Sequence, residues 1–207
     1  MSVTMSSVSA VGEQSIAIPT DVVWRFNVDQ YHSMIRMGIL TEDDPVELLE
    51  GWLIVKMSKS PKHRVATHLI RQALEHSVPP GWYVDSQEPL TTTDSEPEPD
   101  VMIVRGETRQ YLDHHPGPQD IALVVEVADS SLQRDRTLKK RLYASAGIAV
   151  YWIVNLSLSQ IEVYTNPSGS SERPDYRQQQ DYGLEDSIPL IVDGREIARC
   201  IVREMLP

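Results

Sequence analysis

Two short apolar runs, each touching a carboxylate, constrain this chain most. Val101-Met102-Ile103-Val104 follows directly on Pro99-Asp100, and Ile121-Ala122-Leu123-Val124-Val125 runs into Glu126. Both runs are rich in β-branched residues and bounded by turn formers, which predicts buried strands. A carboxylate at the end of a buried strand is costly unless something pairs with it. Antiparallel pairing sets the start of one strand beside the end of the other, so Asp100 and Glu126 meet at one sheet edge. Two converging carboxylates suit a hard cation held by oxygen ligands.

The next segment adds a lysine. From Arg134 to Ala146 the pattern is helical, with Leu138, Leu142, Tyr143 and Ala146 on one stripe. At about 100° per residue, Lys139 points into that stripe, as does Asp135 one turn earlier, while Lys140 and Arg141 point away. A lysine aimed at two carboxylates can orient a water or neutralise charge on a phosphate. Plainer readings exist: Asp135 and Lys139 form an ordinary helical ion pair, and Asp100 caps a turn. Glu126, behind five apolar residues, resists such a reading.

In this order the residues resemble the PD-(D/E)XK nuclease superfamily, and within it the Uma-type family of endonucleases, once a domain of unknown function. The matching pieces are Val46-Glu47-Leu48-Leu49-Glu50-Gly51, Ser60-Pro61-Lys62-His63, Glu98-Pro99-Asp100-Val101 and Val125-Glu126-Val127. Asp135, Lys139, Tyr143, Gly147 and Tyr151-Trp152-Ile153-Val154 follow, so the resemblance spans roughly residues 25–165. It implies Mg²⁺, replaceable by Mn²⁺, on Asp100, Glu126 and the backbone carbonyl near Val127. It also implies a catalytic Lys139 and brings Glu47 and His63 forward as site candidates. Two departures stand out. Position 128 is Ala where the superfamily places its lysine, a role that Lys139 would take from the helix. Val150 and Asn155 occupy positions where family members tend to carry acids.

The remainder reads as one domain over residues 21–207, preceded by a small, polar tail over 1–20, disordered or loosely attached. That tail has neither the basic start nor the apolar core of a secretory signal, and no apolar run approaches the roughly 20 residues of a membrane span. A cytoplasmic protein with no membrane partner is expected. The single Cys200 excludes an internal disulfide, and no His-Glu-x-x-His spacing marks a zinc protease.

Asn27 and Gln30 form a capping box for a helix ending at Met37-Gly38. Val46–Met57 reads as a hairpin turning at Glu50-Gly51 with Glu47 on a half-exposed strand. Lys62–Ser77 is a helix burying Val65, Ala66, Leu69, Ile70 and Ala73; His63 in its first turn is more commonly structural. A strand over Trp82–Leu90 and an acidic, proline-rich loop over Thr91–Pro99 follow, with Glu96 and Glu98 solvated. A short helix is expected near Thr108–Leu112. Beyond the Lys139 helix come a buried strand at Val150–Val154 and an outer strand at Gln160–Tyr164. Asn166–Gln180 reads as a mobile loop, Ile188–Val192 as a strand and Ile197–Met205 as a helix or strand.

From Lys62 onward the order is helix, three strands, helix, strand. The class is α/β or α+β with a mixed central sheet, a restriction-endonuclease-like core with an added N-terminal helix and hairpin. The net charge of −11 argues against a broadly basic nucleic-acid surface. Two basic clusters nevertheless flank the Asp100–Glu126 pair: Lys56 to Arg71, and Arg134 to Arg141. The chain is therefore read as a Mg²⁺-dependent endonuclease with DNA as partner, or else as a non-catalytic binder of nucleic acid or protein on the same scaffold. Homodimerisation is compatible with either.

Overall fold

A strand whose eight residues are all buried must lie inside a sheet covered on both faces, and Ile121–Ala128 (β5) is such a strand. The computed structural model describes residues 23–41 and 43–207; the tail expected over 1–20 lies outside them. Ahead of β5 come α1 (Val28–Arg36), the hairpin β1 (Val46–Leu49) and β2 (Trp52–Val55), α2 (Pro61–Glu75), β3 (Trp82–Asp85) and β4 (Val101–Arg105). After it come α3 (Leu132–Arg134), a π-helical segment (Asp135–Lys139) and α4 (Lys140–Ala146), consecutive along the chain. Strands β6 (Val150–Asn155), β7 (Gln160–Pro167), β8 (Tyr176–Tyr182), β9 (Ser187–Val192) and β10 (Arg195–Ile201) and the short α5 (Val202–Met205) complete the chain.

The central sheet has the order β3-β4-β5-β6-β7-β8. Only β5 and β6 run parallel, joined by the α3–α4 crossover. The sheet is mixed, and the helix, three strands, helix, strand order of a nuclease core is present. Alternation along the strands divides the core. Val101, Ile103, Leu123, Val125 and Trp152 face α2, β9 and α5, while Met102, Val124, Tyr151 and Ile153 face Leu142 and Tyr143 of α4. Glu126, between Val124 and Ala128 in the same alternation, shares the α4 face.

Local signals explain the boundaries. Asn27 and Gln30 form both halves of the capping box on α1. Glu50 and Gly51 take φ of 49° and 80°, the two left-handed residues that a tight hairpin turn requires. Gly51 is also pressed against Arg25 and the Phe26 carbonyl, leaving no room for a side chain.

Several expectations are corrected. Helix α2 buries His63, Ala66, Thr67, Ile70 and Leu74, and Val65 is exposed; the stripe is rotated because His63 is drawn inward by a carboxylate partner. The strand at Trp82 stops at Asp85, since Gln87 adopts a positive φ and leaves the ladder. Gln160–Tyr164 is not outermost. The polar Tyr176–Tyr182, expected as loop up to Gln180, pairs outside it as the edge strand β8, its glutamines exposed to water. Pairing with β7 overrides weak strand propensity there. At the C-terminal end, Asp193-Gly194, both at positive φ, turn β9 into β10 before α5 begins.

Candidate active site

Pairing of β4 with β5 matches Val101 to Val125. One further step in that register brings Asp100 opposite Glu126, and directly opposed residues have Cβ atoms roughly 4.5–5.5 Å apart. Asp100 turns back on the neighbouring strand: its Oδ2 accepts the Val127 N–H at 2.8 Å. In an extended strand the N–H and C=O of one residue project to the same side, so the Val127 carbonyl faces the Asp100 side as well. His63 Nε2 lies 3.0 Å from the same Oδ2. An ionised carboxylate only accepts, so the proton is on that ring nitrogen. Asp100 Oδ1 looks towards Lys59 Nζ at 3.9 Å.

Glu126 is held from the other side. Its Oε1 accepts from Lys139 Nζ at 2.9 Å and from the Tyr143 hydroxyl at 2.7 Å. No hydrogen bond among the described residues reaches Oε2. Glu47, on β1, brings its Oε2 to 3.5 Å from Lys139 Nζ and accepts the Glu98 N–H at 3.2 Å. Of the two readings of Glu47, surface carboxylate or site candidate, its burial excludes the first; only 3% of it is exposed. Asp135 is buried and accepts from Ser131 at 2.6 Å. The π-helical segment begins at Asp135 and ends at Lys139, and such local widening often accompanies functional sites.

Burial dominates the electrostatics, and an excess of carboxylates over cations adds to it. Burial pushes the Glu126 carboxyl up to about 8, with Lys139 opposing and Asp100, Asp135 and Glu47 reinforcing. Burial likewise raises Asp135 to about 6, against Lys139. Burial works against the charge of Lys139, but Glu126, Glu47 and Asp135 outweigh it and hold the ammonium above its ordinary value.

All six expected residues, Glu47, His63, Asp100, Glu126, Val127 and Lys139, line one small cavity of about 70 Å³, beside Asp135, Lys59 and Arg134. That volume holds a hydrated cation's worth of solvent, since one water needs roughly 10–15 Å³ of such space. The donor set fits Mg²⁺, which takes one or two carboxylates and keeps much of its water. Among the described residues, no three carboxylates or imidazoles here come within 4.8 Å of one another, so a closed all-protein cage is not formed.

Three features escaped the sequence. Tyr143, read as packing, donates to Glu126; its position one turn after Lys139 on the same face was the available signal. Glu96 and Glu98 are not solvated loop residues, for Glu96 is 4% exposed and Glu98 pairs with Lys56 at 2.7 Å. The basic clusters are mostly neutralised within the chain. Arg71 pairs with Glu75, Arg136 with Glu162, Lys140 with Asp175 and Arg141 with Glu50. Lys140, expected in solvent, lies against the Tyr164 ring. Asn155 donates to the fully buried Glu162, whose other partners are Arg136 and Tyr164.

The family model described as "Putative restriction endonuclease", Uma2, matches residues 28–195. The chain belongs to the Uma2 family. Its fold is similar to the crystal structure of a putative nuclease belonging to DUF820 from Anabaena variabilis ATCC 29413. That likeness has a TM-score of 0.60 at 15% identity, covering 87% of this chain and 97% of that one. No curated protein matches the chain. Membership supports a nuclease-like function on a restriction-endonuclease-like fold, and no helix among the described residues is long and apolar enough to cross a membrane.

Proposed function

We propose that this Uma2-family chain is a Mg²⁺-dependent endonuclease that hydrolyses phosphodiester bonds in DNA, with Mn²⁺ able to replace Mg²⁺. The observation that carries the reading is the Lys139–Glu126 contact of 2.9 Å in the cavity that Asp100 shares. Asp100, Glu126 and the Val127 carbonyl would hold the cation. When bound, the cation supplies a Lewis acid that stabilises charge on phosphate and acidifies a coordinated water.

The chain's own groups do the positioning. Val127 N–H and His63 fix the Asp100 carboxylate, and the Tyr143 hydroxyl fixes Glu126 Oε1. Lys139, with three donors and two carboxylate neighbours, has a proton left to orient a water or a non-bridging phosphate oxygen. Lys59 and Arg134 at the cavity wall supply the local positive charge for a phosphate backbone. Neutralisation of the other basic residues favours an alternative in which the chain binds nucleic acid or protein without cutting.

Conversion of supercoiled plasmid to nicked or linear DNA separates the two. Cleavage that needs Mg²⁺ and is lost in folded Asp100→Asn is expected; a folded wild type that binds DNA but never cuts it supports the alternative.

A further inference from the structure

A second group of ligands lies away from Asp100 and Glu126. His32 on α1, Glu96 in the segment between β3 and β4, and His115 between β4 and β5 bring one ligand atom each to within 4.8 Å of one another, the only such trio among the described residues. His32 Nε2 is 2.7 Å from Glu96 Oε2, and the His32 and His115 rings meet edge to face at 6.3 Å. The Glu96 carboxylate is buried, yet it lies in the wall of a cleft of about 1120 Å³ with Thr91, Tyr111 and His114 nearby.

We propose that His32, Glu96 and His115 form a binding site for a borderline transition-metal ion of the Zn²⁺ type, with its fourth position open to this cleft. Two imidazoles and one carboxylate are the donor set of open zinc sites, and Mg²⁺ prefers oxygen alone. Bonds of about 2.0–2.2 Å at tetrahedral angles put ligand atoms roughly 3.3 Å apart. His32 Nε2 and Glu96 Oε2 stand closer than that at 2.7 Å, and His115 offers its nitrogen within 4.8 Å, so small rotations of the partly exposed His32 and the exposed His115 complete the shell. The rest of the site is already anchored. Thr91 donates its hydroxyl to Glu96 Oε2 at 2.6 Å and its N–H to the Pro116 carbonyl at 3.0 Å, tying the Glu96 segment to the one bearing His115.

The location gives such an ion a structural consequence. Glu96 N–H donates to the Leu48 carbonyl at 2.7 Å, and Glu98 N–H donates to Glu47. An ion that pins Glu96 between α1 and the His115 segment therefore stiffens the strand pair leading to Glu47 and Asp100.

The test is equilibrium dialysis of the full chain against Zn²⁺ in excess Mg²⁺, with metal quantified per chain, alongside thermal melts. Wild type is expected to hold one Zn²⁺ that Mg²⁺ does not displace and to melt at a higher temperature with it. His115→Ala, an exposed substitution that leaves the core intact, should weaken zinc binding at least about tenfold, roughly 1.4 kcal/mol. Glu96→Gln should do the same, while Asp100→Asn should bind zinc as wild type does. No retained zinc in wild type, or undiminished binding by folded His115→Ala, overturns the proposal.

Discussion

The Asp100 carboxylate accepts the Val127 N–H at 2.8 Å, so the residue just before β4 is tied to the one following Glu126 on β5. This single bond makes the sheet register and the site geometry one property. A slip of one residue would turn Glu126 to the opposite face, away from Lys139.

Adjacent lysines should behave differently. Lys139 is 6% exposed between two carboxylates, whereas Lys140 bridges Asp175 and the Tyr164 ring at the periphery. Lys139→Ala is expected to reduce Mg²⁺-dependent cleavage at least about tenfold, roughly 1.4 kcal/mol of transition-state stabilisation. It should also destabilise the metal-free fold by about 3–5 kcal/mol, because Glu126 loses its buried cation. Lys140→Ala should leave the cleavage rate near wild type. Single-turnover rates with denaturant melts check both, and equal rates for folded Lys139→Ala and wild type remove this lysine from the mechanism.

Removing one hydroxyl tests how Glu126 is held. Tyr143→Phe keeps the ring packed on Tyr151 at 5.0 Å but leaves Glu126 Oε1 with one donor fewer. A loss of about 1–3 kcal/mol is expected in metal-free urea unfolding. A wild-type midpoint and slope would mean that the hydroxyl contact contributes nothing.

Stability without divalent cations should fall as pH rises. For Glu126 and Asp135 the folded-state pKa values are raised to about 8 and about 6 above ordinary carboxylate values of 4.5 and 3.8. The folded state then binds more protons than the unfolded state between those limits. Its stability is fully present below about pH 4 and is lost as pH rises towards 8. Mg²⁺ held by Asp100 and Glu126, as proposed, would relieve the excess negative charge, so its stabilising effect should be larger at pH 8 than at pH 5.5. Thermal melts with and without Mg²⁺ at the two pH values read this directly, and an equal Mg²⁺ effect at both contradicts it.

Ion pairing of the basic residues on the helices around the cavity limits salt sensitivity. Lys59 and Arg134, at the cavity wall, are the cations placed to meet phosphates, whereas Arg71, Arg136 and Arg141 are committed to carboxylates. DNA affinity should decline with salt along a shallow slope. Lys59→Ala and Arg134→Ala should each lower that slope by about one counterion. A steep slope unchanged in both variants would place the DNA on another surface.

The sheet core was legible because β4, β5 and β6 are apolar runs bounded by turn residues, and burial on both faces leaves no other use for them. The inward Lys139 was legible for a related reason, since a charge inside an apolar stripe is anomalous by period alone. The rotated face of α2 was not, because His63 reads as polar until its Asp100 partner is known. Nor was β8, whose glutamines carry no strand signal and whose pairing depends on β7 being in place. Glu96 looked solvated for the same reason. Its partners His32 and Leu48 are distant in sequence and meet it only through the tertiary fold.

Anomalous diffraction from crystals soaked in Mn²⁺ tests the central claim most directly. The account predicts one peak between the Asp100 and Glu126 carboxylates, within about 2.0–2.3 Å of an oxygen from each, and its absence from Asp100→Asn crystals. Mn²⁺ bound elsewhere, with the Asp100 and Glu126 carboxylates empty at saturating metal, would contradict it.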